Sequence, residues 1–194
     1  MNTFDKKFTL LWLITILVVF LVAIVFGLTM RMEQADMVEV GPLNFYVLMT
    51  SHGLLMAGVW FVAGMAGIQY ILSRYFTVPR WGSMVAYGCT LAGVVVLLIS
   101  TFLAKLHAGW YFLYPLPFYA KGMESGPLLF LIALTILGVG WLLWSLVLIV
   151  TILRKYTVVQ ALAWHHITGG QGPAVSPFIL ISFVSLIGVT ACIL

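Results

Sequence analysis

Five long runs that lack Asp, Glu, Lys and Arg constrain the fold of this chain more than any other feature. They cover residues 8–30, 43–73, 81–104, 127–153 and 175–194. A membrane-spanning helix needs about 20 mostly apolar residues, and each run provides them. Alternating strands of a membrane barrel do not give such unbroken runs. The sequence therefore predicts an all-α membrane protein with five transmembrane helices in one integral membrane domain, residues 1–194.

The overall composition agrees with this prediction. Hydrophobic residues make up 63% of the chain and charged residues 7%, whereas soluble domains have roughly 45–50% and about 25%. The first run follows Lys6 and Lys7, as the core of a signal peptide would, but it is longer than the roughly 7–15 residues of such a core. We therefore expect the first run to remain in the membrane as an anchor.

The placement of the positive charges predicts the orientation. With five spans, the N-terminus and the second and fourth loops share one side of the membrane. That side carries Lys6, Lys7, Arg74, Arg80, Arg154 and Lys155, whereas the other carries Arg31, Lys105 and Lys121. Because positive residues favour the cytoplasmic face, we expect a cytoplasmic N-terminus and an external C-terminus. The net charge of +4 is thereby assigned to membrane topology and not to nucleic-acid binding.

His52 is the strongest candidate for a functional residue, since it lies inside the second apolar run. Ionisable side chains at membrane depth are rare and mark candidate functional sites. A neutral imidazole is a common metal ligand, and the neighbouring Gly53 leaves room for a flat cofactor. Met56 follows at i+4 on the same helix face. The alternative is a histidine that only hydrogen-bonds a neighbouring helix.

Other motifs carry weaker signals. The segment from Lys105 to Gly126 contains His107 and several aromatic and proline residues, which are typical of an interfacial belt or a rigid cap outside the membrane. The adjacent His165 and His166 precede a glycine-rich loop at the opposite surface. We expect that pair to be solvated and not a copper site, because side chains at i and i+1 diverge on a helix.

Several classes of function are disfavoured. The sequence has no nucleophile–base motif and no phosphate-binding glycine loop, and no carboxylate lies within the five runs. A proton or ion transporter commonly needs such intramembrane acids. Cys89 and Cys192 lie in separate spans without CxxC spacing, so neither a disulfide framework nor a zinc site is expected.

The segment Thr50-Ser51-His52-Gly53-Leu54-Leu55-Met56 resembles the second-helix motif of subunit I of the heme–copper oxygen reductases, the cytochrome oxidase superfamily. Further similarities follow in the expected order: Val78-Pro79-Arg80 before the third span, then Ala108-Gly109-Trp110 and Tyr114-Pro115 in the outer loop. The resemblance extends from about Leu10 to Tyr156. It implies that the five helices are the N-terminal part of a twelve-helix-type bundle.

The resemblance also implies the cofactor and its ligands. His52 would be an axial ligand of a low-spin heme of a or b type, with Gly53 and Met56 lining the heme pocket. Trp110 and Tyr114 would belong to the loop that covers the heme on its outer side. Family members use a histidine in the second helix for this purpose, and the depth expected for His52 agrees with a heme in the outer half of the membrane.

The heme–copper ligands of the family lie in helices beyond the five represented here. We therefore expect a split subunit I in the plasma membrane: a second chain would supply the remaining helices and the heme–copper centre. A subunit II-like chain would admit electrons from cytochrome c or a quinol, and the assembled terminal oxidase would reduce dioxygen to water. Two alternatives remain at this point, a heme-free scaffold or assembly subunit and a part of a nitric oxide reductase relative.

Overall fold

The computed structural model describes residues 3–109, 125–164, 168–169, 172 and 175–194, and these contain helices and no strand. The helices are α1 (Thr3–Gln34), α2 (Pro42–Leu72), α3 (Arg80–Leu98), α4 (Gly126–Leu153), the short α5 (Val158–Ala161) and α6 (Pro177–Ile193). Proline occupies one of the first two positions of α2, α4 and α6. The missing N–H of proline costs nothing there, because the first N–H groups of a helix have no intrahelical acceptor.

Four helices are long and apolar enough to cross a membrane: α1, α2, α4, and α3 together with its extension to Leu103. This confirms the prediction of an all-helical membrane protein for the described residues. Helix α6 has 17 residues, which corresponds to about 25 Å of helix. The fifth span and the orientation of the bundle stay predictions.

The extension of α3 is a π-helix, Ile99–Leu103. Short π-helical segments are rare in proteins overall. Those that occur within α-helices are often found near functional sites. The Ser100 hydroxyl donates a hydrogen bond to the carbonyl of Gly126, 2.8 Å away, and this bond fixes the start of α4 against the end of α3. Leu106 follows with no exposed surface. The chain therefore turns at this end of the bundle under close packing.

The helices pack in a defined order. α1 packs against α2, α3 against α4, and α6 against α4. Small residues make the α3–α4 contact close, as is usual in membranes, where van der Waals packing drives helix association. A methyl group added at Gly140 of α4 would clash with the Cβ of Cys89 in α3, and one added at Gly93 would clash with Leu137. Glycine is therefore required at both positions by the neighbouring helix.

A buried polar cluster connects three helices at the end of the bundle where α3 begins. The amide of Gln69 in α2 donates to the hydroxyl of Ser83 in α3, and the indole of Trp144 in α4 donates to the amide oxygen of Gln69, each at 2.8 Å. All three side chains are less than a tenth exposed. Because both ends of the amide are satisfied, the cluster stabilises the packing and leaves no polar group without a partner.

The α3–α4 contact gives a first prediction. Gly140→Ala should lower the free energy of unfolding by about 1–3 kcal/mol, because the backbone of Cys89 must move to admit the methyl group. Gly138→Ala is the matched control on the same helix, since a methyl there lies 3.7 Å from Ile193, an ordinary contact. Unfolding of the purified protein in mixed micelles measures both variants. Equal stability of the two variants would contradict the described packing.

Candidate functional site

His52 lies on the face of α2 that contacts α1, where it is partly buried. Its Nδ1 atom is 2.7 Å from the carbonyl oxygen of Ala23. A carbonyl oxygen only accepts hydrogen bonds, so Nδ1 carries the hydrogen and donates. In the neutral imidazole, Nε2 then holds the lone pair, which is the form that ligates metals. The α1 backbone thus selects the ring tautomer and orients the ring.

Helix α1 is shaped to accept the imidazole. Ala23 is fully buried, and one turn later Gly27 lies directly beside the ring: a methyl group at Gly27 would be 2.8 Å from Cε1 of His52. Real side-chain carbons do not approach so closely without displacement of one partner. The hydrogen bond to Ala23 therefore requires glycine at position 27.

A groove of about 400 Å³ opens beside the imidazole. The residues that line it come from the last turns of α1 and the first turns of α2: Gly27, Met30, Arg31, Gln34, Phe45, Met49 and His52. Arg31 is its cation, and the guanidinium donates to the side-chain oxygen of Gln34 at 2.8 Å. Concave, mostly apolar sites with few polar groups are typical of cofactor-binding sites.

The start of the loop that follows α3 and its π-helical extension is held beside this groove. The backbone N–H of Gly109 donates to the hydroxyl of Thr50 at 2.8 Å, and that hydroxyl donates to the carbonyl of Tyr46, also at 2.8 Å. Gly109 has a φ of 61°, a conformation that glycine adopts without strain. A methyl group added at Gly109 would lie 3.6 Å from the sulfur of Met49, which lines the groove, so the loop leaves the bundle close to the candidate site.

The structure brings together only some of the residues predicted for the site. Gly53 is buried, and Met56 packs against the hydrophobic core that includes Ala23; neither of the two lines the groove. Trp110 and Tyr114 lie outside the described residues, as do His165 and His166. His107 is described, and its Nδ1 lies 2.6 Å from the carbonyl of Lys105, within its own loop.

Sequence reasoning missed the contribution of α1. Gly27 and Arg31 both line the groove, and with Ala23 they recur at intervals of four residues. Positions four apart lie on one helix face. The spacing of an alanine, a glycine and an arginine in the sequence therefore indicates one face of α1 on which two small residues precede a cation. Met49, three positions before His52 on α2, also lines the groove.

The donor set of the groove fits a heme better than a bare metal ion. Within the described part of the chain, no three His, Cys, Asp or Glu side chains lie close enough to hold a metal. A protein-only zinc site needs three or four such ligands. A heme iron takes four ligands from its own porphyrin, so one imidazole from each side completes its coordination. The oriented Nε2 of His52 suits that role.

Residues 7–194 match the protein family described as Cytochrome C and Quinol oxidase polypeptide I. The chain belongs to this family. No curated protein and no solved structure gave a match to the chain. The predicted relationship to the N-terminal part of heme–copper oxidase subunit I is confirmed. Membership makes the chain a membrane protein of the respiratory terminal oxidase type, from a family that binds hemes and copper and works in multi-subunit complexes.

Proposed function

We propose that this chain carries the low-spin heme of a split subunit I in a respiratory terminal oxidase that reduces dioxygen to water. In this proposal, Nε2 of His52 would hold the heme iron. The hydrogen bond from Nδ1 to the carbonyl of Ala23 carries the proposal. Metal-ligating histidines nearly always donate their other ring N–H to a carbonyl, a carboxylate or water, which fixes the ring and raises its basicity.

A low-spin heme, when bound, takes up and passes on single electrons. The residues of this chain hold and tune it. The carbonyl of Ala23 orients the imidazole, and Gly27 leaves space for the ring. The apolar residues of the groove exclude water. Arg31, at the polar end of the groove, provides a cation for an anionic porphyrin substituent, since charge-assisted hydrogen bonds are the strong ones.

The remaining predicted site residues support this pocket in the proposal. Gly53 keeps the backbone next to His52 free of a side chain, and Met56 lines the pocket one helical turn further along the same face of α2. Trp110 and Tyr114 belong to the loop that covers the heme on its outer side. The fixed start of that loop at Gly109, bonded to Thr50, supports this placement.

The second axial ligand comes from another polypeptide in this proposal. His52 is the histidine that lines the groove among the described residues, and a bound heme iron would need a second ligand to complete its coordination. We propose that a second chain supplies this ligand together with the heme–copper centre and the remaining helices. A subunit II-like chain then passes electrons from cytochrome c or a quinol to the heme.

The proposed membrane arrangement has five spans in the plasma membrane with the N-terminus inside. α6 completes the bundle as the fifth span, because it packs against α4 and the apolar run continues through residues 175–194. The cations at the end where α3 begins, among them Arg74, Arg80 and Lys155, then face the cytoplasm, in line with the positive-inside rule.

His52→Ala tests the ligand assignment. We expect the low-spin heme absorption of the purified complex to fall about tenfold or more, because the iron loses an axial ligand. His107→Ala is the matched control, since that imidazole bonds within its own loop, and it should leave the spectrum unchanged. Full low-spin absorption in His52→Ala would refute the assignment, and the chain would then be a scaffold without heme.

Gly27→Ala tests the orientation of the ligand separately from its presence. The methyl group displaces the imidazole from the Ala23 carbonyl, so heme retention should drop roughly 10-fold, the lower range for loss of an orienting partner. Gly64→Ala is the control, because a methyl there meets no atom within 4 Å. Heme titration with absorption detection compares the two. Identical heme affinity in both variants would exclude the Ala23 bond as the orienting contact.

The two-chain proposal predicts the composition of the native complex. Purification through a tag on this chain should recover a second membrane polypeptide that contains the second low-spin heme ligand and the copper-binding histidines. Metal analysis then separates copper from the non-heme iron of a nitric oxide reductase relative. If the recovered complex holds both axial ligands on this chain, the split arrangement is wrong while the role of His52 stands.

A further inference from the structure

The backbones of α1 and α3 do not pack closely against each other. Aromatic side chains fill the space between these two helices instead. The ring of Tyr87 in α3 lies edge-on to Trp12 and to Phe8 of α1, with centroids 4.9 and 5.8 Å away. The hydroxyl of Tyr87 bonds to Thr15, 2.8 Å away. We call this contact the α1/α3 seam.

The seam is open toward the lipid at the end where both helices begin. A trough of about 380 Å³ lies there, lined by Phe4, Lys7, Phe8, Leu11, Met84, Tyr87 and Gly88. Met84 is 57% exposed and Leu11 is 42% exposed. A methyl group added at Gly88 would meet no atom within 4 Å. The trough is therefore apolar, accessible and not filled by the chain itself.

The trough follows the seam along the first turns of α1. From Phe4 to Leu11 it extends over about 10 Å of helix. A separate cavity of about 60 Å³ lies deeper in the bundle and is lined by all four long helices, among them Val19 of α1 and Leu91 of α3. The trough is apolar and open along its length, which suits part of one hydrocarbon chain.

Two cations lie at the open end of the trough. Lys7 lines it, and the Arg80 guanidinium lies 4.9 Å from the Phe4 ring centroid, so both charges reach the membrane surface at the same place. Asp5, the acidic residue of the first turn of α1, is buried and has an interaction of its own. The accessible charge at this end is therefore positive.

We infer that the α1/α3 seam binds one anionic phospholipid, with an acyl chain in the trough and the phosphate at Lys7 and Arg80. Basic sites between membrane helices attract anionic headgroups, and each Lys or Arg near the surface makes the binding free energy more favourable. The apolar length and the paired cations together select a lipid over a soluble anion. This inference is independent of the heme and of the second chain.

Native mass spectrometry of the purified complex, exchanged with mixtures of phosphatidylglycerol and phosphatidylcholine of identical acyl chains, tests the site. The wild-type complex should retain one phosphatidylglycerol. Lys7→Gln should lower the affinity for this lipid about fivefold, and the double variant with Arg80→Gln should lower it about 30-fold. Lys6→Gln is the matched control: it removes the same charge from the adjacent position, which does not line the trough, and should retain the lipid.

A second pair of variants separates the acyl-chain site from surface charge. The Cβ of Gly88→Leu meets no atom within 4 Å, and its side chain occupies the trough, so the variant should abolish retention of either lipid while the complex stays folded. Gly67→Leu also places a side chain into open space, away from the seam, and should retain it. Any of three results would overturn the inference. Lys6→Gln and Lys7→Gln could lose the lipid equally, the wild-type complex could retain the two lipids equally, or Gly88→Leu could still retain the lipid.

Discussion

The hydrogen bond between Nδ1 of His52 and the carbonyl of Ala23 is the interaction on which the proposed chemistry depends. It couples two membrane helices and sets the tautomer of the one histidine in the second apolar run. Without it the imidazole could rotate, and Nε2 would have no defined direction. The bond exists because Gly27 lets the ring approach α1, so a glycine on one helix determines what a histidine on another can bind.

The membrane also explains how the remaining polar groups are arranged. Hydrocarbon offers no hydrogen-bond partners, so buried polar groups need partners within the protein. The side-chain amide of Gln69 donates a hydrogen bond to Ser83 and accepts one from Trp144. The Thr50 hydroxyl donates to the carbonyl of Tyr46 and accepts from the N–H of Gly109. The Gln69 bonds cross between helices, and the bond from Gly109 to Thr50 joins a loop to α2. They therefore hold the bundle in one register, whereas the buried indole N–H of Trp12 has no hydrogen-bond partner among the described residues.

The helices could be predicted from the sequence to a large extent, because unbroken apolar runs leave a membrane chain no other regular structure. Their ends were less predictable. The π-helix at Ile99–Leu103 contains Ser100, whose hydroxyl bonds to Gly126, a tertiary contact that no local pattern encodes. The run at 175–194 gave a helix that begins at Pro177, because proline sets the first turn.

The site was only half predictable for a related reason. His52 could be found because a single imidazole is conspicuous in an apolar run. Its surroundings could not, since these helices are apolar on every side and their hydrophobic pattern does not show which face meets a neighbour. Gly27 and Met49 were therefore recognised only once α1 and α2 were placed together. Met56, which the resemblance assigned to the heme pocket, packs against the core that includes Ala23 and does not line this groove; its place in the heme pocket stays a prediction.

A density map of the native complex would test the central claim most directly. The account predicts a porphyrin in the groove between α1 and α2, with its iron bonded to Nε2 of His52 and Nδ1 still facing the Ala23 carbonyl. A map in which Nε2 of His52 faces only lipid or neighbouring side chains, with every heme ligated by other residues, would contradict it.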